Sequence, residues 1–526
     1  MRRGGPARSV AALVVAGLAM LILASCSRAP PFRIVAGSEQ KSLEPLVQQF
    51  CAQRHVECQI DYKGSLDIGL MLAGDQTPTV DAVWPASSLW IEIYDKNRRV
   101  KDLKSIASSP VILGVRMSKA RALGWTNGKP VRMDDILAAV QAGKLTYLMT
   151  SATQSNSGAS AYLAMLAAAF GDGGRLEPRA LDDEGARSKV RELLKGVARS
   201  SGSSGWLKDL YLSAAKDGRP FDAMWNYEAV LKETNDALRQ QGGELLYAVY
   251  PADGVGYADA PLGYVDHGQP PATRTFFADL QAYMLSPAAQ AKVAEDGRRT
   301  APGMAAQPRP DAAWNFDPAR VVPSIALPEP EVISRALVLY QEVLRRPSLT
   351  AICLDFSGSM QGQGETQLQN AMAALLTPQT ASLTLIQWTP GDRIIVIPFD
   401  ATPRDLFTGD GSAASQSQLL AKVRTERAGG GTDMYACAHQ ALAAMTPYIG
   451  QGYLPAIVIM TDGRSQGGEG FASEWEQSGH DIPIFGVTFG DADKSQLQTL
   501  AERTHARVFD GGTNLTEAFR SARGYN

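Results

Sequence analysis

The chain has 526 residues, which is too long for a single hydrophobic core and predicts two or three domains. Hydrophobic residues make up 45% and charged residues 20% of the composition, as in an ordinary globular protein. The formal net charge is -3 and the sequence holds no block of lysine and arginine, so nucleic acid is excluded as an expected partner.

The first 26 residues have the organisation of a secretory signal. A cationic start (MRRGGPARSV) is followed by an apolar stretch (AALVVAGLAMLIL) and by small residues before Cys26. The ending LASC resembles the lipobox of bacterial lipoproteins, which implies that Cys26 is lipidated and becomes the mature N terminus. A single membrane-anchor helix is the alternative, because the apolar run is near the lower limit for a span. Both interpretations place the rest of the chain outside the cytoplasmic membrane, anchored to the cell membrane or an outer membrane.

Strand-like and helix-like segments alternate after a short spacer at residues 27–32. FRIVAG, ECQIDYKG and VDAVWPA are predicted strands, separated by the predicted helices EPLVQQFCAQR and LDIGLMLAG. SPVILGVRMS and KLTYLMTS are further strands, GASAYLAMLAAAF is a buried helix, and apolar spacing predicts a strongly helical stretch over 186–217. This alternation predicts an α/β domain with a parallel, helix-covered sheet over residues 33–303.

Residues 304–347 are predicted to connect this domain to a second one. The segment up to about residue 330 is rich in proline and alanine and should be extended. EVISRALVLYQEVLRR follows with helical apolar spacing and is ended by Pro347. A second α/β domain is predicted over residues 348–526.

The cysteines other than Cys26 fall into two pairs of different character. Cys51 and Cys58 flank AQRHVE at the end of a predicted helix, and in an oxidising compartment they could close a small loop. Cys353 in a predicted strand and Cys437 in a predicted helix are expected to be small buried hydrophobic residues.

Five oxygen-bearing residues of the second domain are predicted to form a metal site. Asp355, Ser357 and Ser359 follow the strand SLTAICL, Thr432 lies between three glycines and a helix, and Asp462 ends the strand PAIVIMT. The carboxyl ends of parallel strands face the same edge of a sheet, so these side chains should converge. Alternate residues of an extended loop point the same way, which lets the first three reach one ion. Mg²⁺ or Mn²⁺ suits such an oxygen-only set, with waters completing an octahedron.

The pattern D-x-S-x-S, a distant threonine and a strand-ending T-D-G resembles the metal-ion-dependent adhesion site of von Willebrand factor A (VWA) domains. The similarity covers about residues 348–520, with SLTLIQWTPGDRIIVIPFD as a strand hairpin and IPIFGVTFG as the next strand. It implies a Rossmann-like, doubly wound fold. It also implies that the first motif binds the ion directly, that the threonine and second aspartate act directly or through water, and that a protein partner offers an acidic group to the metal.

A catalytic interpretation of the same region is a remote alternative. GRSQG satisfies the G-x-S-x-G pattern around Ser465, and His480 and His505 lie downstream. A nucleophile elbow needs a strand that runs directly into it and a helix that leaves it. Here Asp462 ends the strand first and QGGEG is a poor helix start, so a serine hydrolase is disfavoured.

Residues 33–303 resemble type II extracellular solute-binding proteins. The resemblance is carried by IVAGSEQKSLEPLVQQF, YKGSLDIGLMLAGDQTPTVDAVWPA, LMTSATQSNSGASAYLAMLAAAFG and FFADLQAYMLSPAAQAKVAEDGRRTAP. It implies a two-lobed, periplasmic-binding-protein-like α/β fold with crossing strands between the lobes and a ligand cleft.

Hydroxyl groups near predicted helix N termini point to a small polar or anionic ligand in that cleft. Free backbone N–H groups at a helix N terminus favour anions, serines add donors, and two aromatic residues could form an apolar wall. Each position has an alternative role as a helix cap or a core aromatic. The candidate ligand residues are Ser38, Ser65, Ser87, Ser157, Trp225 and Tyr227.

Together these features predict a lipid-anchored, extracytoplasmic binding protein without catalysis of its own. Its first domain would hold a small polar ligand, and its second would bind a protein partner through a divalent cation. The main alternative is the substrate-binding component of an ABC-type transport system, in which the VWA-like domain only docks the chain to a permease.

Overall fold

The computed structural model describes residues 30–74, 79–126, 128–171, 175–383, 385–468, 470–489, 494–512 and 515–523. The predicted signal segment with Cys26 lies outside the described residues. Within the described ranges, no helix combines the length and the apolar character needed to cross a membrane.

The first α/β unit extends from residue 32 to residue 300. Its strands are β1 (Phe32–Gly37), β2 (Cys58–Lys63), β3 (Ala82–Trp84), β4 (Val100–Ser105), β5 (Ala107–Arg116), β6 (Tyr147–Thr150), β7 (Val197–Ser201), β8 (Ala223–Tyr227), β9 (Leu246–Val249), β10 (Tyr257–Ala258), β11 (Pro261–Val265) and β12 (Arg299–Thr300). Its helices are α1 (Glu44–Gln53), α2 (Ser65–Ala73), α3 (Leu89–Tyr94), α4 (Met117–Ala122), α5 (Met133–Gln141), α6 (Asn156–Phe170), α7 (Glu184–Leu194), α8 (Ser204–Lys216), α9 (Glu228–Gln240), α10 (Pro271–Met284) and α11 (Pro287–Glu295).

These elements form two lobes, each built on its own sheet. The sheet of lobe one has the order β2-β1-β3-β11-β4, and that of lobe two has the order β10-β5-β8-β6-β7, with β9 and β12 also paired to β5. The chain crosses between the lobes from β4 to β5, from β10 to β11, and a third time from α11, which packs on lobe one, to β12. The predicted two-lobed α/β fold is confirmed, but the sheets are mixed: β11 and β5 run antiparallel to their neighbours.

One stretch of the first unit was predicted wrongly. Residues 186–217 are not continuously helical, because β7 separates α7 from α8. The sequence VARSS of β7 has little apolar character, and it is a strand because it pairs in parallel with β6. Tertiary pairing therefore overrides the local helical pattern.

The connector between the units is ordered against lobe two. Trp314 and Phe316 are buried and stack with ring centroids 4.7 Å apart. The predicted helix is present as α12 (Pro330–Leu339), which continues into a π-helical turn at Tyr340–Leu344. The Tyr162 hydroxyl of α6 donates a hydrogen bond to a carbonyl of α12 at 2.8 Å, which fixes the connector on lobe two.

The second α/β unit begins at residue 348. Its strands are β13 (Ser348–Asp355), β14 (Arg393–Phe399), β15 (Phe407–Asp410), β16 (Leu454–Thr461), β17 (Ile484–Thr488) and β18 (Val508–Asp510). Its helices are α13 (Gln363–Leu375), α14 (Pro378–Leu383), α15 (Ala413–Thr425), α16 (Met434–Met445), α17 (Phe471–Ser478), α18 (Lys494–Arg503) and α19 (Leu515–Arg523).

The second unit is a doubly wound sheet of order β15-β14-β13-β16-β17-β18. All pairs are parallel except that of the edge strand β15 with β14. One face packs against α13 and α19 and the other against α16 and α17, so the central strand β13 is buried along its whole length. The predicted hairpin over SLTLIQWTPGDRIIVIPFD is wrong: its first part lies in α14 and irregular backbone, and only β14 is a strand.

Two disulfides cross-link the chain. Cys51 and Cys58 are joined, which closes the small loop that the sequence allowed. Cys353 of β13 and Cys437 of α16 are also joined, so the expectation that they are merely buried hydrophobic residues is wrong. Their sequence separation of 84 residues gives no local signal, because only the packing of α16 on β13 brings them together.

The second unit packs against both lobes of the first. Arg199 of β7 is 4% exposed and donates to Asp481 at 2.8 Å and to the His505 carbonyl at 2.9 Å. The carboxyl-terminal helix α19 reaches across the cleft: Arg520 pairs with Asp67 of lobe one, and its carbonyl accepts from Gln154 Nε2 of lobe two at 2.8 Å. One helix of the second unit therefore contacts both lobes.

Candidate metal centre and interlobe cleft

Asp355 lies at the carboxyl end of the central strand β13 and is fully buried. Its Oδ1 accepts from the Ser357 backbone N–H at 2.8 Å, and its Oδ2 accepts from the Thr461 hydroxyl at 2.5 Å. Thr461 is the last residue of the neighbouring strand β16. The carboxylate is therefore held from both sides at the sheet edge.

The other four predicted metal residues meet Asp355 at the same edge. The hydroxyls of Ser357 and Ser359 are 3.0 Å apart, and the Ser359 hydroxyl donates to Asp462 Oδ1 at 2.8 Å. A Cβ on Gly463 would lie 3.6 Å from Ser359 Oγ and 3.7 Å from Thr432 Oγ1, so the threonine hydroxyl faces the same turn. Two carboxylates and three hydroxyls thus converge.

Backbone hydrogen bonds join the loops that carry these residues. Gly358 N–H donates to the Gly430 carbonyl at 3.0 Å, and Gly429 N–H donates to the Phe356 carbonyl at 2.8 Å. Gly430 has φ of 87°, a left-handed conformation that glycine adopts without strain. The loop before Thr432 can therefore run directly beside the first motif.

The electrostatics of the site disfavour the ionised form of Asp355 beside Asp462. Burial raises the pKa of Asp355, and the negative charge of Asp462 raises it further, against the hydrogen bonds from Thr461 and Ser357. A bound cation would reverse this effect, since an opposite charge favours the ionised form. The donor set is oxygen only, which fits a hard divalent cation rather than zinc. In the part of the chain that the structure describes, no group of three or more His, Cys, Asp or Glu side chains is placed to hold a metal ion.

Ser465 is not placed as a nucleophile. It is 9% exposed, its hydroxyl donates to the Gln466 carbonyl at 3.0 Å, and it accepts from Met434 N–H at 2.9 Å. Strand β16 ends at Thr461 and α17 begins at Phe471, so no strand–turn–helix elbow surrounds it.

Of the predicted ligand residues, Ser38 lies directly in the seam between the two lobes, and the seam is closed. The Ser38 hydroxyl of lobe one accepts from Gly205 N–H, at the N terminus of α8 in lobe two, at 2.9 Å. The backbone N–H of Leu66, in α2, donates to the Gln154 carbonyl of lobe two at 3.2 Å. A Cβ on Gly64 would lie only 2.2 Å from that carbonyl oxygen, so the backbones of the lobes are in direct contact.

The remaining predicted serines are bonded within their own lobes. Ser65 Oγ accepts from Ala86 N–H at 2.9 Å, and Ser87 Oγ accepts from Leu89 N–H at 3.3 Å. The Ser157 hydroxyl lies 2.9 Å from Thr150 Oγ1, inside lobe two.

The two aromatic candidates differ in position. Trp225 is 1% exposed and packs edge-on against Tyr147 with ring centroids 6.3 Å apart, so it is a core residue of lobe two and not a cleft wall. The Tyr227 hydroxyl accepts from Asn156 Nδ2 at 3.1 Å, and Asn156 in turn accepts from the Trp90 indole of lobe one at 2.8 Å. Only the tyrosine belongs to a network that crosses the seam.

Sequence reasoning missed the charged residue at the centre of the seam. Glu39 follows Ser38 directly, is 6% exposed, and its Oε2 accepts from the Ser204 hydroxyl of lobe two at 3.0 Å. Arg298 donates to the backbone carbonyl of Glu39 and to the Ser42 hydroxyl. The alternation of apolar residues into α1 gave no reason to expect a buried carboxylate here.

Comparison with protein-family models decides what the two units are. The model described as "Bacterial extracellular solute-binding protein" matches residues 33–299. This chain belongs to that bacterial solute-binding family. The model of the von Willebrand factor type A domain matches residues 350–508, which covers the strand ends that carry all five predicted metal residues. Among curated proteins, none matches the chain.

Solved structures resemble the two domains separately. The sulfate-binding protein SubI from Mycobacterium tuberculosis is 21% identical, with 57% of this chain and 94% of that chain covered and a TM-score of 0.41. The ferric binding protein from Campylobacter jejuni is 14% identical, with 59% and 98% covered and a TM-score of 0.41. A von Willebrand factor type A protein from Catenulispora acidiphila is 18% identical, with 34% and 42% covered and a TM-score of 0.29. At these TM-scores the likenesses carry no conclusion about ligand or partner.

The solute-binding protein is thus an extracytoplasmic binding protein with a fused VWA domain. The family assignment accounts for its location outside the cytoplasm and for the two-lobed domain around a cleft.

Proposed function

We propose that this solute-binding protein is a lipid-anchored adhesion protein whose VWA domain binds an acidic group of a protein partner through Mg²⁺ or Mn²⁺. The observation that carries the proposal is the convergence of two carboxylates and three hydroxyls at one sheet edge. Ser359 is exposed there, so a carboxylate from a partner can approach the ion from solvent.

The residues present fit such an ion in number and kind. Asp355, Ser357 and Ser359 would bind it directly, and Thr432 and Asp462 would bind it directly or through water. The cation would supply the positive charge that attracts the partner's carboxylate, as a hard cation with an open coordination position does. The small-ligand role belongs to the cleft, whose lobes would part to admit a polar molecule.

Isothermal titration of Mg²⁺ and Mn²⁺ into the full chain tests the metal role. The wild type should bind one ion per chain, and Asp355→Ala should abolish binding because it removes a direct ligand held at the centre of the site. Asp405→Ala, an exposed acid in the same domain, is the matched control and should bind like the wild type. Equal binding by wild type and Asp355→Ala would disprove the site.

A partner assay tests the adhesion role separately. Peptides with a single aspartate or glutamate should bind the Mg²⁺-loaded protein more tightly than their amide counterparts, and chelation of the ion should remove the difference. If the metal binds but acidic and amide peptides bind alike, the metal has a structural role only.

A further inference from the structure

The seam between the lobes holds a buried carboxylate that the protein does not fully satisfy. Glu39 Oε2 accepts from Ser204, but Oε1 has no hydrogen-bond partner among the described residues. Buried polar atoms are nearly always paired in native proteins, so an unpaired carboxylate oxygen at a binding cleft points to a missing donor.

Two more oxygens next to this seam lack donors. The Gln154 amide gives its Nε2 hydrogen to the Arg520 carbonyl, and its Oε1 has no partner among the described residues. Ser203, adjacent to Ser204, is 1% exposed and its hydroxyl is likewise unpaired within the described part of the chain. Each of these three oxygens can accept a hydrogen bond. The Gln40 amide, next to Glu39 and also buried, likewise has no partner for its nitrogen or its oxygen among the described residues.

The charges around Glu39 do not balance. Arg298 is 3% exposed and lies 2.8 Å from Asp296 and 3.5 Å from Glu233, while Lys208 lies 2.8 Å from Glu233. Two cations therefore face three carboxylates, and Glu39 is the acid that has no side-chain cation of its own at ion-pair distance.

The raised pKa of Glu39 agrees with this imbalance of charge. Burial raises the pKa of Glu39 to about 7, against hydrogen bonding from its own backbone N–H, the hydrogen bond from Ser204 and the positive charge of Arg298, and the negative charge of Glu233 raises it further. Tyr227 also faces Glu39, but burial raises its pKa well above the ordinary value, so it stays neutral and adds no charge. In the closed form Arg298 therefore acts on the Glu39 carboxylate from beyond ion-pair distance, and no cation among the described residues forms an ion pair with it.

The backbone N–H groups that could bind an anion already donate hydrogen bonds within the closed protein. Gly205 N–H at the start of α8 is bonded to Ser38 Oγ, and Leu66 N–H at the start of α2 is bonded to the Gln154 carbonyl. An anion in the closed seam would also lie beside Glu39 and would oppose its ionisation. The closed geometry therefore disfavours the anionic ligand that the serine pattern predicted.

We propose that the interlobe cleft binds a small cationic ligand that donates hydrogen bonds, a protonated amine or a guanidinium group, with Glu39 as its counter-charge. The inference rests on the ligand-binding role proposed above and names the ligand class. The ligand enters when the lobes part, and its donors complete the unpaired oxygens of Glu39 and Gln154 on closure.

Calorimetric titration of the full chain at constant ionic strength tests this inference. The cationic probes are 1,4-diaminobutane and agmatine, and the anionic probes are sulfate and inorganic phosphate. Wild type, Glu39→Gln, the exposed control Glu295→Gln and Arg520→Ala are compared, the last because it removes the ion pair that joins helix α19 to Asp67 of lobe one. A cationic probe should bind the wild type or Arg520→Ala. In whichever of these two proteins binds the probe, adding Glu39→Gln should lower the affinity for the probe at least tenfold. Adding Glu295→Gln instead should leave that affinity unchanged.

A pH series supplies the second readout. Binding of the cationic probe should be tighter at pH 8 than at pH 6 in wild type, and this difference should vanish in Glu39→Gln. Sulfate or phosphate binding that survives Glu39→Gln would overturn the cationic class and uphold the ligand-binding role. Absence of binding by every probe, in wild type and Arg520→Ala alike, would overturn both.

Discussion

The sheet edge of the VWA domain that carries the five predicted metal residues is called the metal edge here. This edge and the seam of the solute-binding domain both bring together oxygen atoms from distant parts of the chain, but in different ways. At the metal edge the five residues sit at the ends of strands or in loops of one sheet, where Ser357, Ser359 and Asp462 are hydrogen-bonded in series and Ser359 is exposed to solvent. At the seam the oxygens come from two sheets, are buried, and include atoms without partners among the described residues.

The metal edge is therefore preorganised, whereas the seam depends on whether the two lobes are closed. The strands of one sheet cannot separate without unfolding, so the metal edge keeps its geometry. The two lobes are built on separate sheets joined by three crossing segments, so we expect that they can part and that the seam belongs to the closed form. Four variants test this difference between the two sites.

The largest effect is expected from removal of the disulfide beneath the metal edge. It closes a loop with a sequence separation of 84 residues, and chain entropy alone assigns it about 4.5 kcal/mol of the free energy of unfolding. Cys353→Ala with Cys437→Ala should lower the melting temperature of the VWA domain and weaken Mg²⁺ binding, because β13 carries Asp355 and α16 follows Thr432.

The second disulfide supplies the matched control. Cys51→Ala with Cys58→Ala opens a loop with a sequence separation of only 7 residues, for which the same relation gives about 2.5 kcal/mol. This variant should leave Mg²⁺ affinity unchanged. Equal losses of Mg²⁺ affinity in both double variants would show that the buried disulfide does not position the metal loops.

The next largest effect concerns the pH dependence of the seam. Burial raises the pKa of Glu39 from 4.5 to about 7, so the closed form favours the protonated acid. The stabilisation is fully present below pH 4.5 and is lost as the pH rises through 7, which amounts to about 3 kcal/mol. Chemical denaturation of the wild type between pH 4.5 and 8 should show this slope, and Glu39→Gln should flatten it. An unchanged slope in Glu39→Gln would assign the pH dependence to other groups.

A smaller effect should follow from a side chain placed between the lobes. Gly64→Ala puts a Cβ within 2.2 Å of the Gln154 carbonyl oxygen and 2.9 Å of the Gly202 carbonyl oxygen. Its φ of -67° suits alanine, so only closure is opposed, by about 2 kcal/mol as for other overpacked sites. Small-angle X-ray scattering should show a larger radius of gyration.

Gly74→Ala is the control for this variant, since the nearest atom to its Cβ would be 3.5 Å away. It should scatter like the wild type, and both variants should keep wild-type Mg²⁺ affinity. A Gly64→Ala protein as compact as the control would mean that the lobes can close around the extra carbon.

The smallest effect is expected from Thr461, which orients the predicted metal ligand Asp355. Thr461→Val removes the hydroxyl that donates to Asp355 Oδ2 at 2.5 Å, and loss of such an orienting partner weakens metal binding by about tenfold. Thr488→Val is the control on the adjacent strand, where Thr488 pairs in register with Thr461 but bonds the Phe509 carbonyl. Similar Mg²⁺ affinity in the two variants would contradict an orienting role for Thr461.

The sequence predicted the structure correctly where polar residues directly follow an apolar strand. Asp355, Ser357 and Ser359 follow a run of apolar residues, and that boundary alone predicts the end of a buried strand and the edge that the hydroxyls share. It was uninformative at β7, whose polar residues become a strand only through pairing with β6. The hairpin predicted before β14 failed for the same reason, because apolar alternation does not fix which segment pairs.

The amino-acid sequence alone predicted the two α/β domains, their order and the five oxygen-bearing residues at the VWA sheet edge. These depend on local periodicity and on residues that parallel strands necessarily bring to one edge. Only the tertiary structure decided the Cys353–Cys437 disulfide, the contact of α19 with both lobes, and the burial of Glu39. Each depends on surfaces that meet across large sequence separations, and no local pattern records which surface faces which.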